Sequence, residues 1–338
     1  MKSPNSPEFA PTLVNGLMPV DAVIQMIHGG ASLALAGTEA ALDRLPAGTW
    51  IGGTTPYFMT EEGGTIIGDD RLFVTDLSSI GTVTVHSYGP DALAGISGEA
   101  PDRGFVLAVL PAESECHQRF AIEAPEYPYT FLHPTVGWIA GYDLAKGGSA
   151  KVYDGSGPFK HDNRAVAAQV EWHDDSMLML EIVNPFVPGN GTAFQFEQPG
   201  LVQVFATVDG QRIRFADYLI EHGFDRGDVP LVGDYAGAHI NVSIRSVNPD
   251  TGEVTLYAPA FPGVTYRFAE PLADYAEAFR ESLAHRSGAD AVWSCNCILN
   301  FLFGGLEGKA IGGLAGPVTF GEIAYQLLNQ TLVLARRA

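Results

Sequence analysis

The sequence predicts an α+β fold, with mixed, largely antiparallel sheets and a few packed helices. Short runs rich in β-branched residues recur along the chain and are separated by Gly, Pro, Asn and Asp, which is typical of strands joined by tight turns. Few segments show the 3.6-residue apolar period of a helix, which disfavours a doubly wound parallel sheet. With 338 residues, 46% of them hydrophobic, the chain can form one large core or two domains.

The first half of the chain contains two segments with helical spacing, residues 19–29 and 39–45. Apolar or β-branched runs predict strands, which are residues 32–36, 65–67, 72–76, 82–87, 104–111, 149–153 and 165–172. We expect the last two of these strands to form a hairpin across the turn residues Gly155-Ser-Gly-Pro158.

The second half contains a predicted helix at residues 215–222 and a longer amphipathic one at 272–287, which Gly288 ends. Asp209-Gly210 and Asn248-Pro-Asp-Thr-Gly252 predict hairpin turns, and residues 184–191 read as a loop. The predicted strands are residues 177–182, 202–208, 212–215, 229–233, 240–247, 253–258, 291–295 and 329–335.

A glycine-containing strand end recurs four times, at residues 51–54, 136–141, 231–237 and 311–316. The intervals of about 80 to 95 residues are far longer than those of solenoid repeats. Glycine lets another chain or a ligand approach the backbone closely, so we interpret these segments as four equivalent elements of an internal duplication. Chance similarity is the alternative, because the chain has 39 glycines.

Two halves, residues 12–170 and 171–338, follow from this pattern, and we expect them to share one core because no linker separates them. Residues 1–11 are rich in Pro and Ser, which predicts a disordered arm.

The charge of the chain restricts its partners. With 39 acidic and 19 basic residues the net charge is −20, and such a field repels phosphate backbones and anionic lipids. The N-terminus has no basic region followed by an apolar core, and no run approaches the roughly 18 apolar residues of a spanning helix. We therefore expect a cytoplasmic protein that binds neither nucleic acid nor membrane.

Motifs near the C-terminus carry a family resemblance. An apolar run stops at Ser294-Cys295, a Gly312-Gly313 turn follows, and then come Phe320-Gly321-Glu322-Ile323 and Asn329-Gln330-Thr331-Leu332. This order resembles the C-terminal half of the FIST domain, a bacterial small-ligand sensory module, over roughly the last 50 residues. The sequence departs from the family where Asn296-Cys297 replaces the Gly-Arg pair that often follows Ser-Cys.

The resemblance implies a sensory protein with a small-molecule ligand, built from an N-terminal and a C-terminal FIST-like half. We expect no fused output module and therefore expect signalling through a separate protein. The expected ligand-binding residues line a cleft between the glycine-containing strand ends and the C-terminal motifs. They are Trp138, Tyr142, Asp234, Tyr235, Ser294, Cys295, Asn296, Phe320, Gly321 and Glu322.

Two alternatives remain open. A branch of the same family resembles heme-carrying nitric oxide sensors, and His133 or His239 would then be the axial ligand. An enzyme would use Cys295 or Glu322 as nucleophile or base, although free Cys is more often a buried packing residue. The sequence contains no phosphate-binding loop, Gly-x-Ser-x-Gly elbow or Rossmann motif. We expect Cys116-His117 to lie in an exposed polar loop. We assign no catalytic residue and expect no cofactor outside the heme alternative.

Overall fold

The computed structural model describes residues 14–235, 237–283, 291–312 and 314–338. The predicted disordered arm at residues 1–11 and the end of the predicted helix at 272–287 lie outside these residues. No helix in the described ranges is long and apolar enough to cross a membrane.

The elements up to residue 172 alternate strands with short helices. In chain order they are β1 (Asn15–Pro19), α1 (Val20–His28), β2 (Leu33–Gly37), α2 (Glu39–Leu42), β3 (Trp50–Thr54), β4 (Tyr57–Thr60), β5 (Gly63–Ile66), β6 (Arg71–Asp76), β7 (Gly81–Tyr88), α3 (Gly95–Gly98), β8 (Gly104–Pro111), α4 (Glu115–Glu123), β9 (Thr135–Ala140), β10 (Val152–Asp154), β11 (Phe159–His161) and β12 (Ala165–Trp172).

The elements after residue 172 are mostly strands. They are β13 (Leu178–Val183), β14 (Gly200–Gln203), β15 (Phe205–Val208), β16 (Gln211–Arg214), α5 (Phe215–His222), β17 (Leu231–Tyr235), β18 (Ala238–Val242), β19 (Ile244–Val247), β20 (Val254–Ala260), β21 (Thr265–Phe268), α6 (Tyr275–Leu283), β22 (Ala291–Cys297), α7 (Ile298–Phe303), β23 (Gly316–Thr319), β24 (Glu322–Ala324), β25 (Gln326–Leu328) and β26 (Leu332–Arg337).

Three six-stranded sheets form the main body of the protein. Their strand orders are β1-β6-β2-β3-β10-β11, β25-β24-β9-β8-β12-β7 and β13-β26-β22-β23-β4-β5. The pairs β2/β3, β8/β9 and β22/β23 are parallel and the other pairs are antiparallel, which confirms the predicted α+β class with mostly antiparallel sheets.

A single core joins the three sheets. Phe73 of the first sheet, Leu107 and Trp138 of the second and Trp293 and Val333 of the third belong to one buried apolar cluster. Helices cover the opposite faces: α1 and α2 cover the first sheet, α3 and α4 the second, and α6 and α7 the third. Both predicted halves contribute to two of the sheets, since β24 and β25 join the second and β4 and β5 join the third.

Residues 184–270 form a separate unit, which we call the inserted unit. It contains β14 to β21 and α5, and among the strands that the structure describes these pair only with one another. Its own core contains Phe194, Phe215 and Tyr266. The hairpins predicted at Asp209-Gly210 and at residues 248–252 are both present, as β15/β16 and β19/β20.

The predicted boundary between the two halves, at residues 170/171, falls within β12. Two predictions about the sheets are wrong: the hairpin between residues 149–153 and 165–172, and the fourth glycine-containing strand end. The strand β12 forms no hairpin with β10, because it is buried almost throughout and pairs with β7 and β8. The actual partner of β10 across the turn is β11. The fourth glycine segment is a connection before β23, with Gly312 at a φ of 104°, so it is not a strand end like residues 51–54.

Candidate functional site

The carboxyl ends of three strands meet at one place in the main body. The Gly141 amide after β9 donates to the Thr54 carbonyl at the end of β3 (2.7 Å), and the Thr54 hydroxyl donates back to the Gly141 carbonyl (2.6 Å). The strand β23 joins them, since the Thr55 hydroxyl donates to the Val318 carbonyl at 2.6 Å. Ligands of sheets with parallel strands bind at such carboxyl ends, so this junction is a natural binding position.

A pocket of about 310 Å³ opens at this junction, and we call it the strand-end pocket. Its walls come from the segments that follow β2, β3 and β9 and from the turn before β6. The lining residues are Thr38, Glu39, Ala40, Thr54, Thr55, Pro56, Asp69, Gly141, Tyr142, Asp143, Lys146, Gly147, Gly148 and Ser149.

Local sequence explains how this wall is held in place. The Asp143 carboxylate accepts from the Ala145 amide (3.0 Å), which closes a turn after β9. Gly147 and Gly148 then take φ values of 72° and 142°, where a side chain would be strained. Phe320 packs edge-on against Tyr142, with the ring centroids 5.0 Å apart. The wall is therefore a defined turn with an aromatic support.

The pocket carries both signs of charge. Lys146 forms an ion pair with Asp143 (2.9 Å), and this hydrogen bond lowers the pKa of the Asp143 carboxyl. Glu39 is paired with Lys160 outside the pocket (2.8 Å). Asp69 accepts from the Thr38 hydroxyl (2.7 Å) and forms no ion pair within the described residues. Asp69 is thus the carboxylate best able to receive a cationic group.

Behind the three strand ends lies a buried acid cluster, which comprises Glu322, Thr331, Cys295, Cys297 and Thr319. The Glu322 carboxyl is fully buried and accepts from the Thr331 hydroxyl at 3.2 Å. Its backbone pairs with β9, whereas its side chain reaches Cys297 of the third sheet and Thr331, the residue before β26. Cys295 Sγ lies 3.0 Å from Thr319 Oγ1. Glu322 therefore connects two sheets.

Burial controls the protonation of this cluster. Desolvation raises the pKa of Glu322 well above its usual value, although hydrogen bonds from Cys297 and Thr331 oppose this. Burial raises the pKa of the Cys295 and Cys297 thiols in the same way. At neutral pH both thiols are therefore protonated, and burial favours the protonated form of Glu322. A neutral, buried thiol is a poor nucleophile.

An amide network extends the cluster. The Tyr275 hydroxyl donates to Asn300 Oδ1 (2.6 Å), and Asn300 Nδ2 donates to Asn296 Oδ1 (2.7 Å) and to the Thr331 carbonyl (2.8 Å). Asn296 Nδ2 and Glu322 Oε1 are buried without a hydrogen-bond partner in the described structure. Such atoms are uncommon in folded proteins, because an unpaired buried polar group is costly.

The predicted ligand residues divide into three groups. Tyr142 lines the strand-end pocket, and Phe320 supports it. Trp138, Ser294, Cys295, Asn296, Gly321 and Glu322 are buried behind the pocket, where Trp138 stacks on Trp293. Asp234 and Tyr235 belong to the inserted unit, and their side chains bond to the Gly237 amide and to the Tyr266 hydroxyl.

The predicted heme ligands have different surroundings. The His133 ring bonds to the Ser97 carbonyl (3.0 Å) and stacks on Tyr129, whereas His239 is exposed on β18 opposite Asp234. Neither lines the strand-end pocket or the pockets beside Arg245 and Arg103. The described residues contain no group of three or more potential metal ligands.

The prediction of an exposed loop at Cys116-His117 is wrong. Both residues lie in α4, where Ser114 caps the helix by accepting from the His117 amide (3.0 Å), and Cys116 is fully buried. The sequence signal for this helix was the capping residue Ser114 before the first apolar position.

Sequence reasoning also missed most of the pocket wall. Thr38, Asp69, Asp143 and Lys146 were not singled out, because hydroxyl and charged residues after strands are common in exposed turns. A usable signal was the Gly-Gly-Ser turn at residues 147–149 following the glycine-containing strand end.

Comparison with curated proteins and with solved structures gives no match. A family model matches residues 18–337, which is nearly the whole described chain. The chain therefore belongs to DUF6976, a family of unknown function.

Proposed function

We propose that this protein is a small-ligand-binding sensory protein of FIST type, which holds its ligand in the strand-end pocket. The observation that carries the proposal is the convergence of the carboxyl ends of β3, β9 and β23 beside a pocket of about 310 Å³. The proposal includes the internally duplicated architecture and the cytoplasmic location that the sequence implies.

The charges of the pocket favour an amino-acid-sized zwitterion. Asp69 supplies a carboxylate for an ammonium group, and Lys146 supplies an ammonium for a carboxylate. The two residues are near enough for Asp69 to contribute to raising the pKa of Lys146, after the larger effect of its hydrogen bond with Asp143. The Tyr142 ring offers an apolar and aromatic surface beside them.

The test begins with the purified protein. We expect mass spectrometry after denaturation to detect a co-purified small amine, and calorimetric titration with the common amino acids to identify a binder. Asp69→Asn should weaken that binding roughly tenfold or more, because a charge-assisted hydrogen bond is lost. Asp70→Asn is the matched control, since Asp70 is adjacent in sequence but does not line the pocket.

Equal affinity in the Asp69→Asn and Asp70→Asn variants would contradict the proposed site. A Soret band in the absorption spectrum of the same preparation would contradict the proposed ligand class and favour the heme alternative.

A further inference from the structure

A second pocket lies where α4 of the main body meets the inserted unit, and we call it the α4 pocket. Its volume is about 420 Å³. One wall comes from α4 and the residue before its cap, and the other from β14, β19 and β20. The lining residues are Glu113, His117, Gln118, Ile122, Leu201, Val202, Arg245, Thr255, Leu256 and Tyr257.

His117 presents a hydrogen-bond donor at this pocket. The Glu113 backbone amide donates to His117 Nδ1 (3.2 Å), so Nδ1 is the acceptor and the proton of the neutral ring is on Nε2. Burial and the nearby Arg245 lower the pKa of His117 to about 4, so the ring is neutral at pH 7. Nε2 is buried and has no partner in the described structure. A buried N–H of this kind needs an acceptor.

Arg245 brings a positive charge to the same pocket. Its guanidinium comes from β19 of the inserted unit and forms an ion pair with Glu113 of the main body. The two side chains are 43% and 44% exposed, so the pair is reached by solvent and holds weakly. Glu113 has a φ of 65°, an uncommon value for a residue with a side chain. An incoming carboxylate can therefore compete with Glu113 for Arg245.

The rest of the lining supplies one more hydrogen-bond donor and an apolar surface. The Tyr257 hydroxyl has no hydrogen-bond partner among the described residues, and burial raises its pKa, so it remains a donor. Ile122, Leu201, Val202 and Leu256 supply an apolar surface. Pockets that combine apolar walls with a few convergent polar groups are typical small-molecule sites.

We propose that the α4 pocket binds a small carboxylate with an apolar tail. The carboxylate replaces Glu113 on Arg245 and accepts from His117 Nε2–H and the Tyr257 hydroxyl, while the tail packs on Leu201, Val202 and Leu256. This site is separate from the strand-end pocket and shares no lining residue with it. It does not depend on the proposed sensory function.

The experiment uses 4-methylpentanoate as the probe, titrated into the full chain by calorimetry, with 4-methylpentanamide and inorganic phosphate as matched probes. Wild-type protein should bind the carboxylate, and the amide and phosphate should bind at least tenfold more weakly, because the first lacks the charge and the second lacks the tail. The Arg245→Gln variant should lose roughly tenfold or more in affinity for the carboxylate.

The Glu113→Gln variant separates a binding role from a structural one. It removes the internal competitor for Arg245, so binding of 4-methylpentanoate should tighten several-fold. A merely structural ion pair would make both variants bind worse. Arg226→Gln is the control for the loss of one positive charge from the inserted unit, because Arg226 is 76% exposed and lies outside the pocket.

Three results would overturn the proposal: no binding of 4-methylpentanoate to wild-type protein, equal affinity in the Arg245→Gln and Arg226→Gln variants, or weaker binding in Glu113→Gln. Thermal denaturation of each variant verifies that it is folded. If Arg245→Gln fails to fold, Glu113→Gln and the amide probe still decide the question.

Discussion

The Glu322 carboxyl is fully buried, with the Thr331 hydroxyl donating to it at 3.2 Å and with Oε1 unpaired. Ionisation there would leave a charge without a cation, which is far more costly than keeping the proton. The sequence indicated apolar neighbours on both sides of this residue and a role either in capping or in ligand binding. Its complete burial depends on pairing with β9, which is more than 180 positions away, so flanking residues could not reveal it.

Glu322 should make stability depend on pH. Its pKa is raised in the folded state, so its contribution is fully present below the unfolded value of about 4.5 and is lost as pH rises toward the folded pKa. Between the unfolded and the folded pKa of Glu322, the free energy of unfolding should fall by about 1.4 kcal/mol per pH unit. Glu322→Gln mimics the protonated acid and should remove this slope. Urea denaturation at pH 5 and 7 measures it.

The control for this experiment is Glu171→Gln, the same change at an exposed position of β12. If wild type and Glu322→Gln show the same change in unfolding free energy between pH 5 and 7, Glu322 is ionised in the folded protein and our interpretation is wrong.

The parallel pair β8/β9 shows why one strand needs a glycine. Gly137 lies opposite Ala108, and a Cβ placed on it would be 1.8 Å from the Ala108 carbonyl oxygen. That carbonyl is part of a central strand and has no room to shift. Gly137→Ala should therefore destabilise the protein by about 3 kcal/mol or more.

Gly16→Ala is the matched change for this prediction, since Gly16 is also in a strand and a Cβ there would meet no atom within 4 Å. It should alter stability by about 0.5 kcal/mol or less. Urea denaturation compares the two variants, and equal midpoints would mean that β8/β9 can separate without cost.

Strands and helices were predictable from the sequence where the signal was local. The sequence predicted α1, α5 and the hairpin at Asp209-Gly210, and all three are present in the structure. Their signals depend only on neighbouring residues. Pairing depends on residues far apart: β4 lies beside β23, more than 250 positions away, and β12 alternates in sequence yet is paired on both sides, with β7 and β8. The strand-end pocket was predicted only as a meeting of strand ends, because its charged wall comes from turns.

Across the whole molecule, the inserted unit and the main body meet through buried polar side chains. Asn241 Nδ2 of β18 donates to the Gln330 carbonyl at 3.0 Å, and the Ser243 hydroxyl donates to Gln330 Oε1. The Asn329 amide lies 2.6 Å from the same hydroxyl. All four residues are at most 1% exposed. Buried hydrogen bonds thus join two units that each have an apolar core of their own, alongside apolar contacts from Leu201, Ile240 and Tyr257.

We therefore expect the two units to unfold together. The four tryptophans, Trp50, Trp138, Trp172 and Trp293, all lie in the main body, so their fluorescence reports on that part alone. Ser243→Ala changes only the inserted unit but leaves Gln330 Oε1 without its donor, which should cost about 1–3 kcal/mol. The tryptophan transition in urea should then move to lower concentration and coincide with the transition in far-ultraviolet circular dichroism.

Ser246→Ala, the same change at an exposed position of β19, should leave both transitions in place. The opposite outcome would be a circular dichroism transition that begins earlier in Ser243→Ala while the tryptophan transition stays unchanged. It would mean that the inserted unit unfolds on its own and that its buried hydrogen bonds to Gln330 do not couple the two cores.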